Sequence, residues 1–129
     1  MFKLIFCARR QPHLTRAQFQ DYWLHHHGPL FMQHATTYRA RRYVQNHTLD
    51  TPLNEAIRAV RGMGVDIDEY DGVGELCWES EADFLAVVRS PEGERLREIF
   101  IEDEGRFVDQ ARSTAFFVRE ETLLPSATP

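Results

Sequence analysis

The alternation of apolar and polar residues divides the chain into short strands and helices. Four segments have the apolar or alternating pattern of β-strands, and apolar residues recur at helical spacing between them. The predicted strands are 2–9, 38–48, 73–78 and 114–122. Helices are predicted after Thr15, over 50–62, and in two consecutive segments that begin at Ser80 and Ser90. This order is the ferredoxin-like βαββαβ arrangement of an α+β protein with an antiparallel sheet, plus an extra helix inserted between strands 2 and 3.

The first predicted helix carries three consecutive histidines followed by a Gly-Pro pair. Thr15 and Gln18 form a capping box at its start. Pro29 has no N–H and disfavours helical geometry at Gly28, so we expect the helix to end or break between His27 and Gly28. His27 would then lie at an open helix end, where it either caps the last carbonyls or lines a pocket, and both interpretations stay open.

The predicted strands are apolar on both faces. An antiparallel sheet with helices on one side and water on the other alternates apolar and polar residues. Strands 1, 3 and 4 instead contain consecutive apolar residues at 4–6, 76–78 and 116–118. A second copy of the same sheet would cover the remaining face, so we expect a homodimer.

Composition restricts the classes of function. The 129 residues suffice for one domain with a sizeable core, assigned to 1–124, with 125–129 as a flexible tail. The net charge of −5 argues against nucleic acid as a partner, and no apolar stretch has the roughly 18 residues that a membrane span needs. Cys7 and Cys77 are isolated and are interpreted as reduced core thiols. With no leader-like segment at the start, the expected location is the cytoplasm.

The histidine cluster lacks the geometry of a metal site. Consecutive helical residues point about 100° apart, so residues 25–27 cannot converge on one ion. No HExxH motif or cysteine pair completes a ligand set, and no GxGxxG, P-loop or GxSxG motif indicates a nucleotide, a flavin or a serine nucleophile. We therefore predict neither a metal nor a cofactor.

A second group of candidate residues lies on the predicted strands. Tyr43 and His47 share one face of strand 2, and Glu75 and Cys77 share one face of strand 3. With matching register, all four side chains would face the space between the two sheets of the dimer. Glu75 and His47 would then form an acid/base pair with pKa values separated by burial and mutual charge. The alternatives are an ion pair between Glu75 and Arg41 and, less favoured because a core thiol is unreactive, a nucleophilic Cys77.

Four segments, taken together, resemble the EthD-domain family of dimeric α+β barrel proteins: LTRAQFQDYWLHHHGPL, RRYVQNH, YDGVGELCWES and FVREE. The resemblance covers nearly the whole chain. It implies a homodimer whose two sheets face each other and enclose pockets. The family's YW…HGP element corresponds to Tyr22, Trp23, His27, Gly28 and Pro29.

The resemblance implies a protein that binds a small hydrophobic or aromatic molecule and leaves the reaction open. Relatives include proteins linked to ether degradation and fungal polyketide dehydratases. We expect acid/base catalysis without a cofactor, as an isomerase or dehydratase, on a cyclic or aromatic compound of a degradation or secondary-metabolism pathway. A cofactor-free oxidoreductase or monooxygenase and a non-catalytic carrier are the alternatives. The expected catalytic residues are His27, His47 and Glu75, and the expected ligand contacts are Tyr22, Trp23, Tyr43 and Cys77.

Overall fold

The computed structural model describes residues 1–126, in which four antiparallel strands form one sheet with the order β2-β3-β1-β4. The strands are β1 Phe2–Ala8, β2 Arg42–His47, β3 Gly72–Trp78 and β4 Thr114–Arg119. The predicted ferredoxin-like α+β arrangement is confirmed. Strand β2 starts later than expected, because Tyr38 leaves the strand for the core, where it is 8% exposed, and Arg39 has a positive φ of 60°.

Four helices pack on one face of this sheet, and a fifth lies in the connection between β2 and β3. The bounds are α1 Arg16–Tyr22, α2 Gly28–Gln33, α3 Pro52–Ala59, α4 Glu81–Val88 and α5 Pro91–Glu104. A π-helical segment, Trp23–His27, joins α1 to α2, and a short 3-10 helix, Gln110–Arg112, precedes β4. The predicted capping box at Thr15 and Gln18 is present. Among the described residues, no helix combines the length and apolar character that crossing a bilayer requires.

The first helix does not end between His27 and Gly28, as the sequence indicated, but continues through the π turn. The Gly28 N–H donates to the carbonyl oxygen of Trp23, five residues back. In an α-helix the ring of Pro29 would clash with the carbonyl four residues earlier, and the wider π turn accommodates it. A Cβ at Gly28 would lie only 3.1 Å from Nε2 of Gln45 on β2, so the small residue allows the helix to approach the sheet. His27 is therefore inside a helix and is not a C-terminal cap.

Two aromatic clusters fill the space between the helices and the sheet. Trp78 is at the centre of the larger cluster, is fully buried, and donates from Nε1 to the carbonyl oxygen of Tyr38 at 2.9 Å. Phe19 is at the centre of the smaller cluster and is also fully buried. The other buried members are Phe31, Tyr38, Val87, Leu96 and Phe100 in the first, and Ala8, Trp23, Phe107 and Val108 in the second.

Asp71 joins three elements at one end of the sheet. Its carboxylate is 2% exposed and accepts from the backbone N–H of Arg10 at 2.8 Å, from Nη1 of Arg10 at 2.7 Å and from Nε of Arg16 at 2.9 Å. These contacts tie the end of β1 and the first turn of α1 to the start of β3. A buried carboxylate with this many charge-assisted partners holds α1, and with it the π segment, in a fixed position.

The opposite face of the sheet carries no helix among the described residues. Its central row runs across the four strands through Val44, Glu75, Ile5 and Phe116, and Phe116 is 48% exposed. Beside them, Nζ of Lys3 forms an ion pair with Oε1 of Glu75 at 2.9 Å. The face therefore combines apolar residues with a paired polar group around Glu75, and the homodimer that would cover it stays a prediction.

Gly93 sets the position of α5, and its replacement tests how closely that helix must pack. A Cβ at this position would overlap the carbonyl oxygen of Val87 at the end of α4. We expect Gly93→Ala to lower the free energy of unfolding by about 1–3 kcal/mol through overpacking, measured by urea denaturation. The control is Gly105→Ala, where the nearest atom would be 3.4 Å away and the change should stay within about 0.5 kcal/mol. Equal losses in the two variants would contradict the prediction.

Candidate functional site

A cavity of about 290 Å³ lies between the sheet and the helices. Its size is near the lower end of the range for small-molecule sites, and most of its lining is apolar or aromatic. The apolar walls come from all sides: Leu4, Phe6 and Leu76 on the sheet, and Trp23, Phe31, Phe84, Phe100 and Phe107 on the helical side. The residues with titratable or charged side chains at its border are His27, Tyr38, Tyr43, Glu75, Arg97 and Glu104. Of these, Glu75 directs its carboxylate away from the helices, toward Lys3. Such a cavity suits a small, mainly apolar ligand with few polar groups.

His27 is buried in the wall of this cavity. Its Nδ1 lies 2.8 Å from Oδ2 of Asp103, and its ring packs against Phe107 with the ring centroids 5.2 Å apart. A carboxylate at this distance favours a proton on Nδ1. Nε2 then remains as the nitrogen that is available to a ligand in the cavity.

Asp103 stands behind His27 and is held as a carboxylate by three side chains. Tyr22 donates from its hydroxyl to Oδ1 at 2.6 Å, Arg106 approaches the same oxygen at 3.3 Å, and His27 occupies Oδ2. Burial by itself would raise the pKa of Asp103, but the hydrogen bonds from Tyr22 and His27 outweigh it and hold the pKa below its ordinary value. Tyr22, expected as a ligand contact, therefore supports Asp103 and does not line the cavity.

Glu104 follows Asp103 in the chain and has a different environment. Its side chain lines the cavity, and Nε2 of Gln110 donates to its Oε1 at 3.1 Å. Within residues 1–126, no Lys or Arg forms an ion pair with it. Burial raises the pKa of Glu104 above its ordinary value. Two adjacent carboxyl groups thus have pKa values shifted in opposite directions.

His47 lies in an open hollow beside the cavity. Its Nε2 is 2.9 Å from Oε1 of Gln45, whose Nε2 donates to the hydroxyl of Tyr43 at 2.6 Å. Trp23 packs against the His47 ring at 4.9 Å and also lines the cavity, while Tyr43 lines both spaces. Burial lowers the pKa of His47, which favours the neutral imidazole. The structure therefore does not bring His47 and His27 into one pocket.

The expected grouping of Tyr43, His47 and Glu75 on one face of the sheet is wrong. The register pairs Tyr43 with Leu76 and Val44 with Glu75. Because side chains alternate along a strand, Tyr43 and His47 face the helices and Glu75 faces the other way. Register depends on how two strands pair, and a difference of one residue reverses the face.

Glu75 and Cys77 lie on the helix-free face of the sheet. Glu75 accepts from Nζ of Lys3 at 2.9 Å and from Nδ2 of Asn46 at 2.9 Å. An ion pair was one of the two expectations for this carboxylate, but its cation is Lys3 and not Arg41. Cys77 is 1% exposed and pairs with Lys3 across the strands, away from the cavity.

Of the three consecutive histidines, only His27 lines the cavity. His25 and His26 are exposed, and the ring of His26 stacks on Tyr22 with the ring centroids 4.9 Å apart. In the part of the chain that the structure describes, no group of three His, Cys, Asp or Glu residues is arranged to hold a metal ion. The absence of a metal in the working protein stays a prediction.

Asp103 and Glu104 are the site residues that the sequence analysis missed. The spacing of residues in α5 could have indicated Asp103, because Leu96, Phe100 and Asp103 form one helical face, which is buried. A charged residue on an apolar helical face rarely occurs without a partner. That pattern could have identified Asp103, but its contact with His27 joins residues 76 positions apart.

Comparison with solved structures shows the same fold at low identity. An EthD-family protein of Bacillus halodurans matches with a TM-score of 0.60 and 17% identity, over 94% of this chain and 99% of that one. An Arabidopsis thaliana protein matches with a TM-score of 0.59 and 8% identity, over 97% and 100%. A hydroxynitrile lyase from Passiflora edulis matches with a TM-score of 0.52 and 17% identity, over 94% and 95%. No curated protein matches the sequence.

The family assignment comes from the sequence profile of the EthD domain. This profile matches residues 11–111, from the segment before α1 to the 3-10 helix before β4. The matched region contains the π segment, the cavity-lining helices and the pair of His27 and Asp103. The chain therefore belongs to the EthD domain family.

Proposed function

We propose that the protein binds a small cyclic or aromatic compound in the cavity and catalyses proton transfer to or from it, as an isomerase or a dehydratase. The observation that carries this proposal is the buried pair of His27 and Asp103 in the wall of a mostly apolar cavity. A carboxylate on Nδ1 orients the imidazole and stabilises the imidazolium that forms when Nε2 takes a proton. A hydroxynitrile lyase has the same fold, which is compatible with lyase chemistry in such a cavity.

In this proposal His27 removes a proton from a carbon atom next to a carbonyl group of the ligand. Nε2 accepts the proton, and Asp103 stabilises the charge on the ring through Nδ1. Return of the proton to another carbon completes an isomerisation, and its transfer to a departing hydroxyl group releases water in a dehydration. The apolar walls keep bulk water from the reacting atoms and strengthen the electrostatic interactions between them.

The mostly apolar lining also favours a second candidate function, a non-catalytic carrier of the same class of compound. A carrier needs shape and apolar contact but no base aimed at the ligand. The two functions differ in one property that is accessible to measurement: a carrier does not accelerate the exchange of protons on a bound ketone.

We further propose that two copies associate through the helix-free face of the sheet. The side chains of Ile5, Val44 and Phe116 on this face are costly to expose to water, and Glu75 between them is already paired with Lys3. We expect light scattering to give about twice the chain mass of 15.1 kDa. Phe116→Lys should shift the mass toward the monomer, while Met32→Lys, on the helical side, should not. A monomeric wild-type protein would contradict the dimer.

The catalytic proposal predicts exchange of α-protons in a bicyclic aromatic ketone such as 1-tetralone. We expect the protein to accelerate deuterium incorporation from D₂O, followed by proton NMR, and His27→Ala to slow it roughly 10²- to 10⁴-fold. The exposed His25 provides the matched control, since His25→Ala should leave the rate unchanged. His47→Ala should slow exchange far less than His27→Ala, because His47 lies in the neighbouring hollow. Binding of the ketone without any exchange would support the carrier instead.

The role of Asp103 predicts a particular dependence of stability on pH. Because its pKa is lowered in the folded protein, its contribution is complete above the ordinary carboxyl pKa and is lost as the pH falls through the folded-state value. We expect Asp103→Asn to lower the free energy of unfolding by about 1–3 kcal/mol near pH 7 and to flatten its decline in acid. Urea denaturation across this pH range measures both effects.

The control for Asp103 is Asp21→Asn, an exposed carboxylate 3.9 Å from His25. Its effect on stability should stay within about 0.5 kcal/mol at each pH. If Asp103→Asn and Asp21→Asn gave the same pH dependence, Asp103 would not be the buried partner of His27 that the proposal requires.

A further inference from the structure

We propose that Glu104 is a second ligand-binding residue of the cavity, and that its carboxylic acid group donates a proton to a carbonyl or hydroxyl oxygen of an uncharged ligand. This inference rests on the proposed function, because it takes the cavity to be the ligand site. It adds a residue that acts as the acid opposite the base His27, and it assigns the ligand a chemical class: an uncharged, mainly apolar compound with one hydrogen-bond acceptor.

The first step of the argument is geometric. Consecutive residues of a helix point about 100° apart, so α5 directs Asp103 and Glu104 into different surroundings. Asp103 lies behind the His27 ring, outside the cavity lining, whereas Glu104 lines the cavity together with His27. A ligand in the cavity can therefore contact the imidazole of His27 and the carboxyl group of Glu104 at the same time.

The second step concerns the polar surroundings of Glu104. Gln110, from the 3-10 helix, donates to Oε1 and leaves Oε2 without a protein donor among residues 1–126. The Glu104 side chain is partly buried, and in the described chain no cation lies within ion-pair distance of it, so its ionised form is costly to desolvate. The protonated form avoids that cost, and its Oε2–H is a hydrogen-bond donor that needs an acceptor. A ligand oxygen is the acceptor that the cavity can admit.

The third step considers every titratable or charged group that faces Glu104. These groups are His27 on the π segment, Tyr38 before β2, Tyr43 on β2, and Arg97 and Asp103 on α5 itself. Asp103 is anionic and opposes a second negative charge beside it, while His27 attracts one. Arg97 is exposed and makes no ion pair with Glu104. Burial is the largest influence, and the pKa of Glu104 is raised.

The different contacts of the two adjacent carboxyl groups assign them different roles, since Asp103 is bonded to His27 and Tyr22 whereas Glu104 lines the cavity. Where two titratable groups have pKa values pushed apart, the low one serves as the anion and the high one as the acid. Asp103 supports the base His27, and Glu104 supplies the proton. When His27 takes a proton from the carbon next to a carbonyl, the C–H electron pair forms the C=C bond of an enol. The carbonyl oxygen takes the proton of Glu104, and reversal of both transfers restores the two residues.

The protonation of Glu104 is testable without any ligand. Infrared spectroscopy in D₂O, recorded as the pH is raised through the ordinary carboxyl range, should show in the wild-type protein one C=O stretching band of a protonated carboxyl group that persists after the bands of the exposed carboxyl groups have gone. Glu104→Gln should remove the band, and Glu102→Gln, the matched control at an exposed position of α5, should retain it. Absence of the band from the wild type, or its survival in Glu104→Gln, would overturn the inference whether or not the protein is an enzyme.

The hydrogen bond to the ligand is tested by comparing 1-tetralone with tetralin, which has the same shape but lacks the carbonyl oxygen. Calorimetry should show tighter binding of the ketone to the wild type. Glu104→Leu should reduce this preference about tenfold, while Glu104→Gln, whose amide still donates, should preserve much of it. An unchanged preference in Glu104→Leu would overturn the role of Glu104 as donor.

An anionic probe completes the test, because Arg97 is a possible anchor for a carboxylate at the cavity. 1-Naphthoate should bind the wild type more weakly than 1-tetralone does. If 1-naphthoate instead bound the wild type more tightly than 1-tetralone, and Arg97→Gln abolished that binding, the assignment of an uncharged ligand would be overturned. Failure of all three probes to bind would contradict the proposed function and the ligand role of Glu104 together. Because the infrared band does not depend on any ligand, it still distinguishes a wrong ligand site from a wrong protonation state.

Discussion

The position of the candidate site depends on the fit of Pro29 into a continuous helix. A π turn is the backbone geometry that keeps the helix intact when a proline lacks the N–H and needs space for its ring. The turn rotates Trp23 and His27 inward, where both are buried, and leaves His25 and His26 in solvent. Gly28 then lets the helix approach Gln45 on β2. One local constraint thus selects which of three consecutive histidines can meet a ligand.

The interior combines two requirements that oppose each other. Aromatic and aliphatic side chains fill most of the space between sheet and helices, and their burial is the main source of stability. The same space holds His27, Asp103 and Glu104, whose polar atoms lose water on folding. The protein compensates this loss fully for Asp103, which has three partners, and only partly for Glu104, which has Gln110. A titratable group that lines a cleft and has a pKa perturbed by burial is a candidate for contact with a ligand.

The sequence predicted the fold far better than the site, for physical reasons. The order of strands and the helix starts at Thr15 and Ser80 follow from local side-chain chemistry, which a single sequence displays. The predicted grouping of His47 with Glu75 is wrong because the face on which a side chain lies depends on the register of its strand with the neighbouring strand. The predicted helix end at Gly28 is wrong because local propensity favours a break there, whereas packing against β2 stabilises a continuous helix. Asp103 was missed because its partner lies on another helix.

Asp103 and Glu104 are adjacent on α5, so the rotation of this helix about its axis determines which of the two faces His27 and which faces the cavity. Shifting the helix by one residue turns its side chains by about 100°. Such a shift would move Asp103 away from the imidazole and Glu104 away from the cavity, without altering composition or charge. A one-residue insertion or deletion between α4 and the end of α5 would therefore be more damaging to the site than many substitutions. The length of α5 therefore matters to the site as directly as the residues that it carries.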